Sequence, residues 1–343
     1  MTSSRGAGSE RVCAMRGIAA GREIRDAVHA MGAAERARPA ASRLKATNVR
    51  VDARAEEIGF AHLNELTREI DRRIFVLLDD RGDYEAIGSS SRQEIIWVCF
   101  DAIDGTKKVA GIGPYDSRRL VAANDGAWAS TFAFTSPTRK PFAELMFGDF
   151  VASAIVDGNP TRYRTYPQEV ITIPDEDGSL VALEVEGAST RRVFTTSIEM
   201  MNRCWVFLDS FQAFDRETSC SGDEEIAIEL YRLLINRHSD SGAHDVLRQF
   251  GSLSALCRTM LGWRDDPVWI ESQGGAFIVI NENLPNLIPS IAVIAGAGGV
   301  SVDFDGKPLR QRRLCDGRTS VIHAANPALR DHCVRVVAEA RGI

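Results

Sequence analysis

Apolar positions recur along this chain with two different periods, and the change between them organises it. From Gly17 to Met31, Ile18, Ile24, Val28 and Met31 return at helical spacing. Asp52 to Phe75 reads as one long amphipathic helix. Ile58, Leu63, Leu66, Ile70 and Ile74 form its buried stripe, with Arg54, Glu56, Glu57, Glu65 and Glu69 outside. Glu94 to Phe100 is then a continuous apolar run rich in β-branched and aromatic residues, which predicts a buried strand ending in a turn. Further strands are expected at Trp128 to Phe134, Phe150 to Val156, Glu169 to Ile173 and Leu180 to Val185, separated by Gly, Pro, Asn and Asp. Beyond about residue 195 the periods alternate. Strands are expected at Arg203 to Leu208, Trp269-Ile270, Ala276 to Ile280 and Val300 to Phe304. Helices are expected at Asp223 to Arg237, Ser252 to Leu261, Pro289 to Ala297 and Asn326 to Ala340, the last with Asn326 as N-cap and Pro327 at its first position.

Helices, then sheet, then alternating elements predict a layered mixed α/β protein with two sheets. Residues 1–15, rich in Gly, Ser and Arg, are expected to be disordered. Residues 16–195 would form an N-terminal α+β subdomain and residues 196–343 a C-terminal α/β subdomain. With 343 residues, 44% of them hydrophobic, the core closes without disulfides. The formal net charge of -6 argues against nucleic acid as the main partner, although local arginines still suit phosphorylated small molecules. Seven cysteines, an odd number without a C-x-x-C pair, read as reduced thiols in a cytoplasmic protein. The most apolar stretch, Ile288 to Val300, is interrupted by Pro289 and glycines and is too short to span a membrane. Arg5, Arg11 and Arg16 have no apolar segment behind them that would make a signal peptide.

The strongest chemical signal is Trp97-Val-Cys-Phe-Asp101-Ala-Ile-Asp104-Gly105-Thr106-Lys107. Two carboxylates at the end of a buried strand can point at one spot, with the Ile103 carbonyl beside them. Such hard oxygen donors suit magnesium. Gly105 lets the backbone approach a ligand closely, and the amides of Gly105 and Thr106 can hold a phosphate. A bare D-x-x-D-G is a weak signal; the apolar strand before it and the D-G-T after it give it weight. Other chemistries fare worse. Gly296-Ala-Gly298-Gly-Val-Ser301 imitates a dinucleotide-binding turn, but a strand-like run follows it instead of a helix. The six histidines lack zinc-hydrolase spacing, and there is no G-x-S-x-G elbow.

The run around Asp101 resembles the W-(I/V)-x-D-P-(I/L)-D-G-T motif of the inositol monophosphatase and fructose bisphosphatase superfamily, with Ala102 in place of its proline. Asn286 to Val300 resembles that superfamily's W-D-x-A-A-G helix ending in E-A-G-G. Arg248-Gln-Phe-Gly-Ser252-Leu is similar to its R-x-x-G-S-A stretch. The resemblance implies a layered α-β-α-β-α sandwich, often homodimeric, that hydrolyses a phosphate monoester of a sugar, cyclitol or nucleotide with Mg2+. It implies Asp101, Asp104, the Ile103 carbonyl and Asn286 as metal ligands, and Asp104 and Thr106 as catalytic residues. Gly105, Thr106, Arg248 and Ser252 would hold the phosphate or substrate. Two departures stand out. Asn286 replaces an aspartate, so Asn286→Asp is expected to tighten magnesium binding. The loop glutamate that binds metal and positions water is replaced by Ser89 and Ser90, leaving Glu85 as the candidate substitute in both its catalytic and its metal-binding role. Asp52 reads as an ordinary surface acid. The rival implied by these departures is a phosphatase-fold protein with weakened or lost catalysis that binds a ligand or partner.

Overall fold

The computed structural model describes residues 6–41, 48–78, 83–110, 128–159, 166–199, 204–209, 213, 220–239, 247–248, 260–263 and 274–343. Its first part runs α1 (Gly6–Ala30), α2 (Ala33–Arg36), β1 (Pro39–Ala40), β2 (Asn48–Val49), α3 (Arg50–Ile70), β3 (Arg73–Leu77), β4 (Tyr84–Ile87), β5 (Ile95–Asp104) and α4 (Thr106–Ala110). A run of strands follows: β6 (Ala129–Thr135), β7 (Phe150–Asp157), β8 (Glu169–Pro174), β9 (Leu180–Glu186), β10 (Ser189–Arg192), β11 (Phe194–Thr195) and β12 (Trp205–Asp209). The last part holds α5 (Asp223–Ser239), β13 (Leu247–Arg248), β14 (Leu261–Gly262), β15 (Gly274–Glu282), α6 (Leu284–Gly296), β16 (Val300–Asp303), β17 (Thr319–Ala324) and α7 (Pro327–Ala340).

Two sheets dominate. One has eight strands in the order β10-β9-β8-β7-β6-β5-β3-β4, the other five in the order β13-β12-β15-β17-β16. Strand alternation gives the larger sheet two apolar faces. Val98, Phe100, Phe132, Ala154 and Val156 share a core with α1 and α3. Trp97, Cys99, Ala133, Ile155 and Ala182 share the other core with α6 and the second sheet. Helix α6 touches both sheets, and α5 and α7 cover the outer side of the five-stranded one. The result is the layered α-β-α-β-α sandwich expected from the sequence. No helix among the described residues is long and apolar enough to cross a membrane.

Three boundaries differ from expectation. α1 begins at Gly6, inside the segment whose composition predicts disorder. Its small residues serve close packing: a Cβ on Gly17 would lie 2.8 Å from that of Ala154, and one on Gly21 would lie 2.6 Å from Val156 Cγ2. Arg22 and Arg25 then pair with Glu169 of β8. The long helix expected to Phe75 stops at Ile70, because Asp71 caps it in the left-handed region at φ 51°; Ile74 belongs to β3. The second sheet's helix starts earlier than Pro289, since Asn283 accepts a hydrogen bond from the Asn286 amide and caps it. The helix expected from Ser252 and the strand at Trp269-Ile270 lie largely outside the described residues.

Candidate active site

β5 carries the acidic turn at its C-terminal end. Asp101 follows Trp97 and Cys99 on the face covered by α6 and pairs with Thr131. A register shift between Asp101 and Asp104 bulges the strand, which re-aims the second carboxylate. Ser130 Oγ pins the bulge by donating to the Ala102 carbonyl at 2.7 Å. Asp101 Oδ1 accepts the Ile103 N–H at 3.0 Å, and the Thr106 hydroxyl donates to the Ile103 carbonyl at 2.8 Å. Gly105 turns the chain at φ 109°, a conformation a side chain would strain. Asp104 is 2% exposed. Asp101, Ile103, Asp104, Gly105 and Thr106 are thus gathered within one hydrogen-bonded turn.

α6 brings Asn286 from the opposite direction. Near its C-terminus, a Cβ on Gly296 would meet Thr172 of β8 and the β9 backbone. The helix also touches every strand from β5 to β9. Thirteen residues span about 20 Å, the width of four strand spacings, so the first turn lies at the β5 end. There Asn286 Nδ2 donates to Glu282 Oε1 at 3.1 Å. Asn286 Oδ1 is buried and accepts no hydrogen bond.

Sequence reasoning missed two features here. Glu282, 4% exposed, ends β15 and accepts the Asn283 amide at 2.9 Å as well as Asn286 Nδ2. Its setting is a register shift between Val279 and Glu282, with Asn281 at φ 55°. Asp52 is no surface acid: it is 2% exposed in the first turn of α3, and Glu56, one turn on, is equally buried. α3 runs antiparallel to β5 and touches it at Gly59 and Phe100. Seven residues back along the helix, about 10 Å, Asp52 is level with Asp104, four residues or about 13 Å up the strand. α3 also touches α4, which Thr106 opens.

Glu85 is not brought to this cluster. It pairs with Val76, which pairs with Val98. That leaves Glu85 two strands, about 10 Å, to the side of β5 and short of Asp101 by three residues of strand. The Ser89-Ser90 segment follows β4, which runs away from the site end. The strand that lies beside β5 and runs parallel to it is β3. After Leu78 the sequence continues with Asp79 and Asp80, which lie outside the described residues. Arg248 lies on the edge strand β13 of the second sheet, paired with Leu208. Ser252 lies outside the described residues.

Among the described residues, no group of three or more His, Cys, Asp or Glu side chains is arranged to hold a metal ion. The donors present nevertheless fit a hard divalent cation in kind: two carboxylates, one carbonyl and a buried amide oxygen that lacks a partner.

No protein-family model matches the sequence, and no curated protein is significantly similar to it. Solved structures are. Fructose-1,6-bisphosphatase of Leishmania major in its holo form aligns with a TM-score of 0.63 at 10% identity, over 99% of this chain and 96% of that one. An inositol monophosphatase from Zymomonas mobilis aligns at 0.57 with 14% identity, over 98% and 99%. SuhB of Mycobacterium tuberculosis aligns at 0.55 with 13% identity, over 99% of each. The chain has the fold of the inositol monophosphatase and fructose bisphosphatase superfamily.

Proposed function

We propose that this protein is a magnesium-dependent phosphate monoester hydrolase acting on a small sugar, cyclitol or nucleotide phosphate. The observation that carries this is the hydrogen-bonded Asp101–Thr106 turn; the unpartnered Asn286 oxygen on α6, a helix that touches β5, supports it. Asp101, Asp104, the Ile103 carbonyl and Asn286 Oδ1 would hold the ion. A magnesium ion held there would supply positive charge to a phosphate and would lower the pKa of a water beside it. Thr106 donates its proton to Ile103, so its oxygen lone pairs remain to accept from a water and orient it. The Gly105 turn lets backbone amides meet phosphate oxygens without a side chain intervening. Asp52, at the level of Asp104, and Glu56, one turn further along α3, are buried and are further candidates for taking a proton. The partner is then a small phosphorylated metabolite, with neither nucleic acid nor a membrane involved. The fold's habit supports a homodimer, and cysteines outside any disulfide among the described residues suit a cytoplasmic setting.

The neutral Asn286 favours the rival, a ligand-binding protein with weakened catalysis. A phosphate-release screen over sugar, cyclitol and nucleotide monophosphates, with and without magnesium, separates the two. The expected result is metal-dependent release that falls at least ~100-fold in Asp101→Asn. Release that survives both chelation and Asp101→Asn would contradict the metal-hydrolase reading. No release from any substrate would favour the binder.

A further inference from the structure

We infer that Glu282 is a positioning residue that supplies, one hydrogen bond behind Asn286, the negative charge Asn286 lacks; this rests on the metal-binding role proposed for the site. Glu282 can only accept hydrogen bonds when ionised. Its contact with Asn286 therefore fixes which end of the amide faces it: Nδ2 points at the carboxylate at 3.1 Å, and Oδ1 must point the other way. That outward oxygen is buried and has no donor. A buried acceptor without a partner is unfavourable unless a donor or cation is supplied. An ionised carboxylate behind the amide also polarises it, making Oδ1 a better ligand for a cation than a lone asparagine.

The backbone is built to present this pair. The register shift after Val279 and the left-handed Asn281 turn Glu282 inward at the end of β15. Ser320 Oγ accepts the Asn281 amide at 3.0 Å, and Arg318 donates to the Asn281 carbonyl at 3.2 Å, holding the bend. The Asn283 amide then closes on Glu282 Oε1, and the Asn283 side chain caps the helix that carries Asn286. The charge has in effect moved one side chain back from the ligand position.

This reverses the simple expectation for Asn286→Asp. In the wild type, that change sets two carboxylates at hydrogen-bond distance with no proton between them, which disfavours the charged pair. With Glu282→Gln already present, a glutamine amide can donate to the new aspartate, and the charge returns to the ligand itself. The test is Mn2+ binding, followed by titration calorimetry and electron paramagnetic resonance, on the wild type, Glu282→Gln, Asn286→Asp and the double variant. Thermal unfolding without metal checks that each is folded. Glu282→Gln should weaken Mn2+ binding about 10- to 100-fold. Asn286→Asp should fail to tighten binding alone, yet restore it in the Glu282→Gln background. If Asn286→Asp tightens binding equally in both backgrounds, or if the double variant is not rescued, Glu282 does not act through Asn286. Mn2+ binding that Asp101→Asn abolishes while this pattern is absent overturns only the Glu282 assignment. A wild type that binds no Mn2+ overturns the metal-hydrolase reading and this inference together.

Discussion

Asp101 gives one carboxylate oxygen to the Ile103 amide of its own turn. In the proposed site it would also hold the ion, so Asp101→Asn should remove a charge while leaving the apolar packing of β5 intact. His323 shows the opposite case, a titratable group whose effect falls on stability. It is fully buried on β17, with Nδ1 2.8 Å from Ser301 Oγ and Nε2 without a partner. Burial pushes its pKa from 6.5 down to about 3. The unfolded chain takes up a proton below pH 6.5 and the folded one does not. The stability this ring contributes is therefore complete above pH 6.5 and declines as the pH falls towards 3. Each pH unit in that window costs about 1.4 kcal/mol. Urea unfolding near pH 7.5 and about pH 5 should show the wild type losing about 2 kcal/mol more than His323→Gln. Equal losses would mean the ring does not stay neutral in the folded protein.

Among elements, the strands were the most legible in the sequence, because continuous apolar runs bounded by Gly, Pro and Asp leave few alternatives. The end of α3 was not, since Ile70 and Ile74 keep helical spacing straight through Asp71, whose left-handed cap carries no warning glycine. That misplaced boundary hid β3, and with it the strand that feeds the site end of the sheet. Glu85, the candidate substitute for the loop glutamate, instead lies on β4, two strands to the side of β5. Glu85→Gln should leave turnover within about twofold of wild type, whereas loss of a proton acceptor costs ~100-fold; a large loss in steady-state assays would return Glu85 to the site. Glu282 was illegible for another reason: an Asn-Glu-Asn run reads as a solvated turn until a bulge and a left-handed residue rotate it inward. For α1, the composition of residues 1–15 suggests disorder, yet the helix begins at Gly6; further along, Gly17 and Gly21 let it approach the sheet closely. Gly21→Ala should destabilise by about 1–3 kcal/mol in denaturant titrations, because its Cβ would meet Val156 with no room to shift. An unchanged midpoint would mean α1 sits less tightly on β7 than it does here.

At the scale of the molecule, the Asp101–Thr106 turn is legible in one stretch of sequence, whereas the other candidate residues, Asn286 and Asp52, are related to it only through the layering. α6 lies between the two sheets and carries Asn286 across to β5, and α3 on the far face carries Asp52 to the same edge. No local pattern announces such convergence, which is why Asp52 read as a surface acid. The layering also sets an order of assembly. The sheet-facing side of α1 rests on Ala154 and Val156, and its arginines on Glu169. Those partners lie roughly 125 to 140 residues beyond the end of the helix. At a ribosomal pace of about 5–20 residues per second, the helix waits about 6 to 28 seconds for that part of the surface it will cover. Ile18, Ile24 and Val28, each no more than 2% exposed at the end, have only α3 of their core partners close behind them in the chain during that interval. A helix made before α3 and the sheet is thus completed only when β7 and β8 exist.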